Sequence, residues 1–282
     1  MFVAFSSQTV VLNLIISAML RDTSVFVDGG VQLFRNNETT WLGFSKLSAL
    51  DNCNYSLHTG KYIFEIDMSR SWSADTNFTE KKVGRFGNSS MGSNPPNMVR
   101  GALYRGHTSD PRLYTFGGST FLANESDPDW QPPSSDQYSM WSYDTSLMTW
   151  GQYDITYAIP RRPNWGAWAE AISLGIGFFL NGQLDRGSSN VLYSMSEYIG
   201  GTLTNVTYNQ TTYLSGMAVV DLRTHVVRNV SSDTLGAPRV AGGLVHTQRF
   251  GKTWNGTLIA FGGMRSTDER DTTFTNGILV SY

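Results

Sequence analysis

Leu113-Tyr114-Thr115-Phe116-Gly117-Gly118 is an apolar run closed by two glycines, and the chain repeats it. Val25-Phe26-Val27-Asp28-Gly29-Gly30 and Leu258-Ile259-Ala260-Phe261-Gly262-Gly263 have the same form. Gly177-Phe178-Phe179-Leu180-Asn181-Gly182 puts Asn in the place of the first glycine. Asn tolerates a left-handed backbone better than other non-glycine residues, so this exchange is mild. The runs do not alternate polar with apolar, which fits strands buried on both faces.

Outward from each glycine pair, a second strand ends in Asp and a Trp follows. These segments are Phe64-Glu65-Ile66-Asp67 with Trp72, Trp141-Ser142-Tyr143-Asp144 with Trp150, and Ala218-Val219-Val220-Asp221 with Val227 in the Trp place. The three aspartates are evenly spaced along the chain. Such an Asp is expected to cap the turn after its strand by accepting backbone N–H bonds. The Trp is expected to offer a large apolar face to a neighbouring sheet, with an N–H that needs an acceptor. A third marker, Arg before a strand rich in small residues, opens the later units at Arg100, Arg162 and Arg239. Phe26, Phe116, Phe179 and Phe261 are expected at equivalent places in successive sheets.

A glycine pair after an apolar strand, an Asp-ended strand and then a Trp resembles the kelch repeat, over about residues 5–282. More narrowly, the chain resembles the extracellular, membrane-anchored kelch proteins of filamentous fungi. The resemblance implies an all-β, kelch-type β-propeller of four-stranded antiparallel blades around a central channel. Strands are expected near residues 8–12, 24–28, 62–67 and 71–74, then 99–105, 112–116, 139–144 and 149–153. They continue near 165–172, 176–180, 215–221 and 225–229, and near 240–246, 257–261 and 277–282. That gives one domain over 1–282 with about four blades, near 5–75, 99–153, 162–229 and 238–282. The last blade lacks its outer strand, so the propeller is expected to be incomplete or open. Units longer than the usual kelch length of about 50 residues imply insertions.

Composition narrows the function. Charged residues are 16% and the net charge is -2, which excludes a nucleic-acid-tracking surface built from clustered Lys and Arg. A lone Cys53 excludes an intrachain disulfide and an all-Cys zinc site. Asn-x-Ser/Thr acceptors stand at Asn37, Asn54, Asn77, Asn88, Asn124, Asn205, Asn209, Asn229 and Asn255. Their number is about twice the roughly four that this composition gives by chance. They indicate a glycoprotein of the secretory route, secreted or held on the outer face of a membrane. Val10–Leu20 reads either as a signal-peptide apolar region or as chain leading from a first strand at 8–12. Any membrane anchor is expected outside this chain.

Strand directions in such blades put the second-to-third loops and the inter-blade links on one face. All the acceptors except Asn255 fall there, together with the long insertions 31–61, 73–98, 121–137 and 183–213. Loops of this kind commonly build the binding surface of a repeat fold.

Catalytic signatures do not emerge. His58, His107, His225 and His246 form no ligand pair, and no nucleophile elbow or phosphate loop is present. Asp127, Asp129, Asp268, Glu269 and Asp271 lie in turn-like segments where calcium is the weaker reading. The reading is a non-catalytic scaffold without a cofactor, binding a protein or a cell-surface ligand. Two alternatives come from the resemblance and from aromatic content. A galactose-oxidase-like copper site would need two Tyr, two His and a Tyr-linked Cys, and Cys53 lies in an insertion. Sugar stacking on Trp130, Trp165 or Trp168 competes with their packing between blades.

Overall fold

In the computed structural model the described residues are 16–21, 23–29, 31–35, 38–41, 56–59, 62–69, 80–85, 95, 98–120, 140–153, 163–184, 212–231, 239–248, 256–268, 271–274 and 278–281. The chain is all-β, with four-stranded antiparallel sheets and no α-helix among these residues. Among the described residues no helix is long and apolar enough to cross a membrane.

The first sheet pairs Ile16–Arg21, Ser24–Gly29, Tyr62–Asp67 and Glu80–Gly84 in that order. The second holds Ala102–Tyr104, Arg112–Phe116, Met140–Asp144 and Thr149–Tyr153. The third holds Ala167–Ala171, Ile176–Leu180, Met217–Asp221 and Val227–Val230. The fourth has three strands, Gly243–Thr247, Thr257–Phe261 and Ile278–Ser281. First strands of successive sheets touch one another, Ile16–Arg21 against Ala102–Tyr104, that strand against Ala167–Ala171, and that against Gly243–Thr247. The result is a propeller-like row.

Three apolar layers hold the row together. Phe26, Ile63 and Val83 of the first sheet meet Leu103, Leu113, Trp141, Tyr143 and Trp150 of the second. Tyr104, Tyr114, Phe116 and Met140 meet Phe179, Val220 and Val227. Ala167, Ala169 and Leu180 meet Leu244 and Ala260. Each inner sheet is apolar on both sides, which is why its strands read as continuous runs rather than alternations.

The links between sheets are stitched by backbone. Arg100, Trp165 and Ala241, each just ahead of a first strand, share a left-handed φ of 63°, 59° and 56°. The Trp165 N–H donates to the Arg100 carbonyl at 2.9 Å, and the Ala241 N–H to the Trp165 carbonyl at 2.8 Å. A parallel pair runs from the glycine motif, Gly118 N–H to Pro163 O at 2.9 Å and Gly182 N–H to Arg239 O at 3.2 Å. The equivalent residues are therefore Arg100, Trp165 and Ala241. Arg239 stands two places before its unit's left-handed residue, so the arginines do not align, and Arg162 lies outside the described residues.

Register corrects three other expectations. The strand paired with Ser24–Gly29 is Ile16–Arg21, whereas 8–12 lies outside the described residues. The outer strand of the first sheet is Glu80–Gly84 rather than 71–74, and it runs past the expected limit of 75. The reason is local: Glu80, not a Trp, pairs with Ile66, so the aromatic marker does not locate this strand. The four phenylalanines all lie in second strands but are not equivalent. The place of Phe116, opposite Ala102, belongs to Asp28, Leu180 and Phe261 in the other sheets.

Candidate functional site

The motif residues occupy the ends of the strands. Asp144 Oδ1 accepts the N–H groups of Ser146 and Leu147 at 2.9 and 2.8 Å. Asp221 Oδ1 accepts those of Arg223 and Thr224 at 2.9 and 3.1 Å. Asp67 Oδ1 accepts the Ser69 N–H at 2.8 Å. A short carboxylate bonding amides two and three residues on closes each turn. The carboxyls of Asp221 and Asp110 are held below the usual range by their hydrogen bonds, which outweigh partial burial.

Trp150 is buried between the first two sheets and donates its Nε1–H to the Gly84 carbonyl at 2.9 Å. In the third sheet Val227 stands opposite Val220, the register that Trp150 holds opposite Tyr143. Gly117, Gly118, Asn181, Gly182, Gly262 and Gly263 all have positive φ. Gly29 closes the strand Ser24–Gly29, and Gly30 and Trp72 lie outside the described residues.

A polar and aromatic cluster fills the seam between the second and third sheets. Arg112 grips Asp110 with two bonds, Nε to Oδ1 at 2.8 Å and an Nη to Oδ2 at 3.0 Å. Tyr114 donates its hydroxyl to Asp110 Oδ2 at 2.6 Å, and Arg112 donates to the Tyr153 hydroxyl at 3.0 Å. His225, from the third sheet, lies 3.7 Å from the Tyr153 ring centre. Burial first, then the Arg112 charge, lowers the His225 pKa. Burial also pushes the Tyr114 hydroxyl well above its usual range. The neutral phenol and the arginine locked on a carboxylate pack this seam together with His225. Sequence reading passed over this cluster because its members are spread across 116 residues, from Asp110 to His225.

The loop after the first strand of the second sheet is held from both neighbours. Arg21 donates to the carbonyls of Arg105 and Arg112 at 3.1 and 2.9 Å, and also to that of Asp110. From the other side Glu170 accepts the N–H groups of Arg105 and Gly106 at 2.8 and 2.6 Å. Burial raises the Glu170 pKa to about 7, against the pull of those amides and of Arg105 and Arg21. The folded chain therefore holds this proton more tightly than the unfolded chain. Its stabilising share is present below about pH 4.5 and is lost as pH rises through about 7. Denaturant melts at pH 5 and pH 8 should show wild type losing on the order of 3 kcal/mol more than Glu170→Gln across that interval. Equal losses would mean the carboxyl is already ionised at pH 5.

The remaining candidates are dispersed. His107 is bonded to Ser109 Oγ at 2.8 Å, and His246 stacks on Phe178 at 5.9 Å. Trp168 packs edge-on to Tyr104 at 5.9 Å, and the Arg100 guanidinium lies 4.1 Å from the Trp165 ring centre. His58 and Asp268 sit in the strands Ser56–Thr59 and Met264–Asp268. Among the described residues no three His, Cys, Asp or Glu converge as a metal site. Cys53, Trp130, Asp127 and Asp129 lie outside the described residues, as do all the acceptor asparagines but one. That one, Asn229, is exposed on the outer strand of the third sheet, with Ser231 of its acceptor motif exposed beside it.

The insertions adjoin the inter-sheet links. Met98–Val99 pairs with Ser119–Thr120, Asn164 bridges Gln183, and Arg239–Val240 pairs with Met264–Asp268. Each pairing joins a link to the start of a second-to-third insertion. The described starts of these insertions thus lie on the same face of the row as the links. A three-stranded sheet of Val31–Arg35, Glu38–Trp41 and Ser56–Thr59 lies within the first insertion.

No family model and no curated relative matches the chain. Among solved structures, that of YjhT aligns with 95% of this chain and 68% of its own, at 13% identity and a TM-score of 0.48.

Proposed function

We propose that the chain is a kelch-type β-propeller in an open row of about four blades, acting as a glycosylated, extracytoplasmic, non-catalytic binding scaffold. The observation that carries this reading is the pairing of inter-sheet links with the described starts of the insertions on one face. Strand ends on the opposite face are consumed by Asp-capped turns and by the Arg21 and Glu170 ties. Variable loops on a rigid scaffold are where recognition is usually placed. The partner is a protein or a cell-surface ligand met by that loop face.

Asn229 supplies the test of compartment. Its side chain is open to solvent, as an acceptor for sugar transfer must be. Made through a eukaryotic secretory route, the chain should gain electrophoretic mobility on N-glycosidase treatment. Asn229→Gln should remove one step of that shift. A secreted chain whose mobility is unchanged by the glycosidase would sink the proposal.

A further inference from the structure

We infer that the seam between the first and second sheets holds one internal water molecule, bound by the indole N–H of Trp141 and the hydroxyl of Thr115. This is a solvent site inside the scaffold, and it stands whether or not the loop face meets a partner.

Thr115 and Trp141 lie opposite each other on the second and third strands of the second sheet. Opposed positions share a face of the sheet and bring their Cβ atoms to about 5 Å. The face in question is turned to the first sheet, because Trp141 and its same-face neighbours Leu113 and Tyr143 pack with Phe26, Ile63 and Val83. Both residues are shut off from solvent, Thr115 at 1% exposure and Trp141 at 0%. Yet Thr115 Oγ1 and Trp141 Nε1 find no hydrogen-bond partner among the described residues. In a dry seam each atom would carry the full penalty of lost hydration. An indole N–H only donates, whereas a hydroxyl both donates and accepts. One water oxygen accepts from Trp141 and bonds Thr115 in either sense. Two such bonds in series span about 5.6 Å, which suits residues at opposed places.

The next seam is apolar at the same places. The third sheet has Phe179 and Ala218 where the second has Thr115 and Trp141. Phe116 of the second sheet meets Phe179 edge-on at 5.6 Å. In the first sheet the place of Phe116 belongs to Asp28, paired with Arg85, whose guanidinium lies 5.4 Å from the Trp150 ring centre. Gln152, buried and opposite Trp141, extends the polar row. The apolar pair of one seam is thus exchanged for a set of hydrogen-bonding groups in the other, the setting a buried water needs. Charge there is already balanced, Asp28 by Arg85 and, nearer solvent, Glu65 by Lys81 at 3.1 Å. A neutral occupant fits, whereas an anion would add an uncompensated buried charge.

A high-resolution crystal structure of the whole chain tests the inference directly. One water-sized peak is expected within hydrogen-bond distance of both Trp141 Nε1 and Thr115 Oγ1. The absence of a peak overturns it, and so does an anomalous signal at that point in crystals grown in bromide, which would mark an anion site. Stability reads the same point by sign. Thr115→Val keeps the side-chain shape and removes the hydroxyl. With the water bound, valine strips it of a partner, the peak should fade, and the unfolding constant should rise about threefold to tenfold. In a dry seam the same change removes an orphaned group, and an unfolding constant that stays level or falls overturns the inference. Thr115→Ser keeps the hydroxyl and should keep the peak. Neither readout involves sugars or a partner, so a failure here leaves the scaffold reading as it was.

Discussion

Trp150→Ala is expected to lower the unfolding free energy by about 3–5 kcal/mol, the usual cost of deleting a large buried aromatic side chain. The indole is a wedge between the first and second sheets. It packs against Tyr143 with ring centres 5.2 Å apart and lies under the Arg85 guanidinium at 5.4 Å. Its N–H also satisfies the Gly84 carbonyl, which alanine cannot do. Trp150→Phe separates the two contributions. It keeps most of the apolar area and loses the donor, so it should cost about 1–3 kcal/mol, in the range for a buried polar group left unpaired. The control is Val227→Ala, at the same register in the third sheet and with far less side chain to lose. Denaturant melts of the three variants give the comparison. A loss below about 1 kcal/mol for Trp150→Ala would mean that the first two sheets do not depend on each other through this contact.

The contrast between Trp150 and Val227 shows how far the sequence could be read. Strands of the second and third sheets were legible because an apolar run, a glycine or Asn turn and an Asp cap all coincide there. Each marker reports a local requirement: positive φ at Gly117, Asn181 and Gly262, and amides to be bonded after Asp144 and Asp221. The first sheet was legible only in its middle strands. Its outer strand, Glu80–Gly84, has two lysines, and Val83 is the one buried residue among its described side chains. An edge strand needs one good apolar contact and solvated neighbours, which is a weak pattern. The ties between sheets could not be read at all. Arg21 with the 105–112 loop, Glu170 with the Arg105 amide and Tyr114 with His225 join residues distant in sequence, and no spacing rule announces them. The buried pair of Asp28 and Arg85 is of the same kind: Asp28 stands where the repeat would put an apolar residue. Its partner lies 57 residues away.

Gly117→Ala should be at least as damaging, and its twin in the fourth sheet should not be. Gly117 sits at φ 67°, where a side chain costs about 1–2 kcal/mol in backbone energy alone. The added Cβ would also lie 2.1 Å from the Pro163 carbonyl, the acceptor of the Gly118 N–H. That acceptor belongs to the link entering the third sheet, so relief requires moving one sheet off another. A total above about 4 kcal/mol is expected, in the range reserved for backbone strain combined with a core clash. Gly262 has nearly the same φ, 63°, and among the described residues none lies within 4 Å of a Cβ added there. Gly262→Ala should therefore cost little beyond the backbone share. In denaturant melts the two alanine variants should differ by roughly 2 kcal/mol or more, the excess being the clash alone. If there were no gap, Pro163 would not be the obstacle, and the stitching of one sheet to the next would have to rest on something other than the glycine turn.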